Sequence, residues 1–366
     1  MARGSAVHHP APSSAPPRQR HFWRYLHRLA ALAVSLSGLV VLLNLFVDPL
    51  WYWHGNQITG RNFPLNERLS RMNLLLQEPE AYDCLVFGSS RVGLLDHTRV
   101  AGYRCFNMTF SAGSVVEFLD YARYLADLGL RPRLVIVGVD DYNYLPGLLQ
   151  PPETPDFVRH NEPPPGILTN YLSIDAARLS LRTLMQASDE SRYYDSRMIG
   201  RVLETAPRFE PTKRLHTARS LDDLDPGRAA LYRRLRRTFP EAAFWGYVPP
   251  ISAWNVAEER YRAGVLDRYL DATAATARAF DRFYDFSAPS RLTRRTDNSY
   301  DGNHYFPWVN AIIAERLQAG SDASPADGFG LPVHALTRAQ YGAAFRAHLR
   351  RFLVEQPAAT GPDSPG

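Results

Sequence analysis

Between residues 84 and 138, three short apolar runs (Cys84–Phe87, Tyr103–Met108 and Leu134–Gly138) alternate with polar turns and one amphipathic stretch. The run Leu134-Val-Ile-Val shows no polar alternation, as strands buried on both faces do not. From Ser114 to Leu128, residues Val115, Val116, Phe118, Leu119, Ala122 and Leu125 fall at helical spacing. Strand–helix–strand order requires crossovers and therefore a parallel sheet with right-handed connections. Ala242–Val248 and Phe283–Phe286 supply two more strands, about five in all. Further helices are expected at Asn66–Gln77, Ile174–Met185, Leu231–Phe239, Ala257–Phe280, Val309–Leu317 and Arg338–Val354.

Upstream, Leu29 to Val47 is a 19-residue run without charge, softened only by Ser35, Ser37, Gly38 and Asn44. At about 1.5 Å per residue it nearly spans the hydrocarbon core of a bilayer. Arg3, Arg18, Arg20, Arg24 and Arg28 precede it and Asp48 follows it, which places the N-terminus in the cytoplasm. Trp51, Tyr52 and Trp53 then suit the far interface as an aromatic belt. The run is long for a cleaved signal peptide, and Asp48-Pro49-Leu50-Trp51 is a poor cleavage site, so a retained anchor is expected. The rest of the chain then lies outside a bacterial cytoplasmic membrane, in the periplasm or beyond. The chain carries 42 basic and 37 acidic residues, a net charge of +5, with scattered arginines and no recognition-module signature. That balance argues against nucleic acid. Cys84 and Cys105, on neighbouring strands, are read as small core residues and not as a bridge.

The expected layout is a polar tail at 1–20, the anchor at 26–48, one α/β domain at 62–320, a helical extension at 321–355 and a tail at 356–366. A proline-rich segment, 142–228, interrupts the strand rhythm and reads as an insertion over the carboxyl edge of the sheet.

Two stretches carry chemistry. Asp83-Cys-Leu-Val-Phe-Gly-Ser-Ser-Arg-Val-Gly-Leu94 ends a strand at Gly88 and places Ser89 and Ser90 at the edge where open α/β sheets bind ligands. The segment after them is expected to start a helix, whose N-terminus would favour a developing negative charge. Tyr300-Asp-Gly-Asn-His-Tyr305 supplies an aspartate and a histidine three residues apart, just before a helix. Serine is a weak nucleophile until a histidine takes its proton, and the histidine needs a partner to fix its tautomer. Taken singly, Ser90 and Asp301 could be helix caps and His304 a loop residue; together they favour catalysis. Asp297, Asn298, Asp301 and Asn303 lack the spacing of a calcium loop, and no metal or organic cofactor is expected.

Gly88-Ser89-Ser90 resembles the Gly-Asp-Ser block of the SGNH (GDSL-type) hydrolase superfamily, and Asp301-x-x-His304 resembles its last block. The resemblance covers roughly residues 80–320 and implies a flavodoxin-like three-layer α/β/α fold with a parallel sheet of about five strands. It implies Ser90 as nucleophile, His304 as base and Asp301 as its orienting acid. It also implies an oxyanion hole from the backbone of Ser90 and of Gly113, with Ala112 as the alternative. Gly138-Val-Asp140-Asp stands where the superfamily has Gly-x-Asn-Asp. An ionised Asp140 cannot donate to an oxyanion, so Asn143 is the replacement candidate.

Gly-Ser-Ser with an N-terminal anchor is most similar to the DltD-like and AlgJ-like branch, which works beside a membrane-bound O-acyltransferase. That resemblance implies acyl transfer to, or ester removal from, a cell-surface polysaccharide, with acetyl as the expected group. A non-catalytic glycan-binding accessory is the second reading. Arg91 is read first as an ion-pair partner and second as a ligand for polymer carboxylate or phosphate. Asp140, Tyr142 and Tyr305 are the remaining substrate-binding candidates. Tyr144 and Trp254 could extend a sugar groove or simply pack.

Overall fold

A computed structural model describes residues 17–149, 154–211 and 223–355. Of the expected tails at 1–20 and 356–366, residues 1–16 and 356–366 lie outside those residues, and 17–20 belong to a helix. Helix α1 runs Pro17–Val47, starting upstream of the expected anchor. Proline suits a first helical turn because no N–H is needed there. The side chains of Leu32, Leu36 and Leu39 are exposed, and His21–Val47 is long and apolar enough to cross a membrane. Trp51 departs from the expected belt. It is buried against Tyr194 and Met198, which leaves Trp53 as the exposed member.

α2 (Glu67–Leu75) is capped by Asn66, whose side chain accepts from the Leu69 N–H. β1 (Cys84–Gly88) and β2 (Cys105–Thr109) follow, then α3 (Val115–Asp127), where Glu117 accepts from the N–H and hydroxyl of Ser114. β3 is Leu134–Gly138. The proline-rich segment then gives α4 (Asp156–His160), α5 (Ile167–Tyr171), α6 (Ile174–Leu184) and an antiparallel hairpin, β4 (Arg192–Tyr194) with β5 (Gly200–Val202). After α7 (Ala229–Thr238) come β6 (Ala243–Val248), α8 (Ala253–Val256), α9 (Leu266–Ala277), β7 (Arg282–Asp285), α10 (Pro307–Ala319), β8 (Leu331–Pro332) and α11 (Arg338–Glu355).

The central sheet has the order β2-β1-β3-β6-β7-β8. The first five strands are parallel and β8 runs antiparallel on the edge. Alternate residues serve two apolar clusters. Leu85, Phe87, Val135 and Val137 pack with Phe118, Tyr232, Leu270 and Phe345. Cys84, Val86, Leu134 and Ile136 pack with Val309 and Ile313 of α10. The chain leaves β1 toward β2 and returns to β3 on the other side, so the crevice at the β1–β3 carboxyl ends is a topological switch point.

Four expectations need correction. Cys84 and Cys105 are disulfide-bonded. The register pairs these two residues directly across β1 and β2, which brings their Cα atoms to 4.1 Å. The long helix 257–280 is broken: α8 passes into a π-helical turn over Ala257–Arg262, and Gly264, at φ +75°, stops it before α9 starts. Residues 320–330 lead into β8, a sixth strand that is short and carries a proline at the edge, where no ladder donor is required. Finally, the chain after Ser90 does not form a helix. Val92, Gly93 and Leu95 donate to carbonyls three residues back, giving successive turns. No macrodipole therefore stands behind Ser90.

Candidate active site

Ser90 follows β1 on a turn held tightly to the sheet. Val92 sits over Gly88 and Gly138, and a Cβ on either glycine would fall within 2.5 and 2.1 Å of its Cγ2. Both positions therefore need glycine so that the turn can lie close to β1 and β3. Ser89 is buried and its hydroxyl accepts from the Arg91 N–H. Ser90 instead faces His304.

The loop between β7 and α10 delivers the other two groups. Ser299 bridges to Tyr305, and Gly302 takes φ +82° with its N–H on the Ser299 hydroxyl. Asp301 Oδ1 accepts from the N–H groups of Asn303 (2.9 Å) and His304 (2.7 Å), which fixes the carboxylate. Its Oδ2 lies 2.6 Å from His304 Nδ1, and His304 Nε2 lies 2.8 Å from Ser90 Oγ. Burial pushes the Asp301 carboxyl up, but the hydrogen bonds from His304 and the loop backbone outweigh it and hold the group below the ordinary range. The Tyr300 ring stacks on the imidazole at 5.2 Å, with the planes 3° apart. The arrangement can pass a proton from a serine hydroxyl to an imidazole whose far nitrogen is held by a carboxylate.

Arg91 does not face this chain of bonds. Its guanidinium pairs with Asp140 at 2.7 Å and donates to the carbonyls of Pro249 (2.9 Å) and Pro250 (3.0 Å). Burial pushes the Asp140 carboxyl up while Arg91 pulls the other way. Asn143 is fully buried, and its Oδ1 accepts from the Val115 N–H at 2.7 Å at the start of α3. The Gly113 N–H donates to the Phe110 carbonyl at 2.9 Å, and the Gly113 carbonyl accepts from the Tyr142 hydroxyl at 2.7 Å. Ala112 beside it has φ +52°, and its N–H makes no hydrogen bond among the described residues. The same holds for the Ser90 N–H. Tyr305 and Tyr144 are core residues, and Trp254 packs against Phe209 and Phe352.

A buried ionic cluster that sequence reasoning overlooked supports the loop after β2. Glu67 accepts from the Ser111 N–H (2.6 Å), the Ser111 hydroxyl (2.7 Å) and the Tyr194 hydroxyl (3.0 Å), and pairs with Arg71 (3.3 Å) and Arg192 (3.4 Å). Burial opposes its ionisation, but Arg192, Arg71 and Ser111 bring it down to about 2. Arg192 also donates to the Ser111 hydroxyl at 2.6 Å. The cluster thus links the β4 hairpin to the Ser111–Gly113 loop. Its sequence signal was Arg192-Tyr-Tyr194 followed by Gly200-Arg-Val202, a short β-like pair inside a segment otherwise marked by prolines. A cleft of about 800 Å³ opens beside it, lined by 64–69, Ser111, Pro155–Phe157, Glu162, Pro163 and Pro165. Ser90, Asp301 and His304 are not in that lining.

Among the described residues, no group of three or more His, Cys, Asp or Glu is placed to hold a metal ion. Comparison with protein-family models, curated proteins and solved structures gives no match to this chain.

Proposed function

We propose that this chain is a membrane-anchored serine acyl-transfer enzyme of the SGNH type, with flavodoxin-like layering, working on the outer side of a bacterial cytoplasmic membrane. The observation that carries the reading is the continuous hydrogen-bond chain Ser90–His304–Asp301 at the carboxyl edge of a parallel sheet. Ser90 Oγ attacks an acyl carbonyl while His304 Nε2 takes its proton, and Asp301 stabilises the imidazolium. The negative oxygen is received by the N–H groups of Ser90 and Ala112, neither of which has an acceptor among the described residues. Collapse breaks the bond to the leaving oxygen, which takes the proton from His304. A glycan hydroxyl, or water, then gives its proton to His304 and attacks the acyl-serine carbonyl, and Ser90 recovers its proton as the acyl group leaves.

The substrate we propose is an acyl, most simply acetyl, ester of a cell-surface or exported polysaccharide, with a membrane-bound O-acyltransferase as partner. The uncharged span and its basic flank support the orientation, and the Cys84–Cys105 bridge fits an oxidising compartment. Purified full-length chain should turn over an activated acetyl ester, and Ser90→Ala should reduce that turnover to background with circular dichroism unchanged. Undiminished turnover in a folded Ser90→Ala variant would remove Ser90 as the nucleophile, and no turnover by the unaltered chain would leave the fold a binding role.

A further inference from the structure

Asn44 is an amide within an apolar helix, three residues before its end. An unbonded amide there would be costly in hydrocarbon. Its oxygen and its nitrogen are both bonded to the α5–α6 pair. Its Nδ2 donates to the Tyr171 carbonyl at 2.8 Å and its Oδ1 accepts from the Ser180 hydroxyl at 2.7 Å. Tyr171 closes α5 and Ser180 lies in the middle of α6. Just past α1, Asp48 accepts from the N–H groups of Tyr52, Trp53, His54 and Gly55 and from the Tyr171 hydroxyl. The span, its exit loop and the α5–α6 pair are therefore one unit.

Side chains of α1 begin to be covered at Val40. From there to Val47 is about 10 Å of helix at about 1.5 Å per residue, so α5 and α6 lie beside the C-terminal part of the apolar run. Interfacial helices sit about 5–10 Å into the headgroup–acyl boundary. α6 is built for such a place. Ala176, Ser180 and Thr183 form its buried stripe. On the opposite side Ile174 (83% exposed), Leu181 (51%) and Met185 (75%) form an exposed apolar stripe, with Arg178 at its edge. An apolar stripe on the exposed face of a packed helix fits an apolar surround, and a flanking arginine can reach headgroups.

We propose that α5 and α6 are seated in the outer leaflet beside α1, with the exposed stripe of α6 in lipid. This rests on α1 crossing the membrane. The Tyr52 hydroxyl donates to the Pro165 carbonyl at 2.9 Å, and Pro165 lines the cleft beside Glu67 and Ser111. The seated pair therefore holds that cleft at a fixed height against the membrane surface, open to substrate presented there.

The test places a nitroxide at Ile174→Cys, Leu181→Cys or Met185→Cys in the full chain in phospholipid vesicles. The two native cysteines are bridged and do not react. Collision with oxygen, which enters lipid, is compared with collision with a water-soluble nickel chelate. Leu36→Cys in α1 and Leu128→Cys beyond α3 serve as lipid and water references. The expected result is an oxygen-to-nickel ratio at the α6 positions matching Leu36 and several-fold above Leu128. A ratio equal to that of Leu128, or loss of both collisions through a covering protein, overturns the proposal while leaving the span intact. A water-like ratio at Leu36 removes the span, and the proposal with it.

Discussion

Replacing Glu67 with glutamine would remove the one carboxylate that holds Arg71, Arg192 and Ser111 together. The folded protein holds this carboxyl near 2, against an ordinary 4.5. At about 1.36 kcal/mol per pH unit, that difference corresponds to about 3 kcal/mol of stability at neutral pH. The sign follows from the direction. The folded value is the lower one, so the stabilisation is complete above the unfolded value of 4.5 and is lost as pH falls toward 2. Glutamine also leaves the buried Arg71 guanidinium without its counter-charge, while Arg192 keeps Glu190 at 2.6 Å, and breaking a buried pair in this way costs roughly 3–5 kcal/mol. Denaturant unfolding of the full chain in detergent, followed by far-ultraviolet circular dichroism, measures both effects. At pH 7 Glu67→Gln should be less stable by about 3–5 kcal/mol. The gap should narrow as pH falls from 4.5 toward 2, where the unfolded chain binds a proton at this carboxyl that the folded protein does not. Equal stability at pH 7, or a gap that stays constant into acid, would refute the assignment of Glu67 as an ionised clamp.

Two further outcomes follow from the site and the sheet. Asp301→Asn should keep the fold but lower kcat for an acetyl ester by about 10⁴, the loss expected when the imidazole tautomer is no longer fixed, with KM little changed. Replacing both Cys84 and Cys105 with serine opens a link with a sequence separation of 21 and should cost about 3 kcal/mol in the same denaturation assay.

The parallel strands were legible because each is a short apolar run with no alternation, and five of the six in the central sheet fall within two residues of their expected bounds. Ser90 could be nominated because it follows an apolar run ending at Gly88, and Asp301 and His304 because they lie three residues apart just before a helix; the structure brings the three side chains together. What stayed hidden depends on contacts between distant segments. Arg192 and Glu67 are 125 residues apart, and no local pattern joins them. The Cys84–Cys105 bridge depends on strand register, which composition does not specify. The turn after Ser90 is short because Val92 must pack into the gaps at Gly88 and Gly138. The Gly113 N–H is tied to Phe110 because the loop folds back on itself, which moves the oxyanion role proposed here to Ala112. In each case local propensity was overruled by tertiary packing.

The central claim is that Ser90 is activated by His304 and Asp301. The most direct measurement is the site of reaction with a fluorophosphonate, read by peptide mass spectrometry on the intact, membrane-reconstituted chain. The account predicts one adduct, on Ser90, with Ser89 unmodified, and loss of that adduct in His304→Gln. No adduct on Ser90, or an adduct of undiminished yield when His304 is replaced, would contradict it.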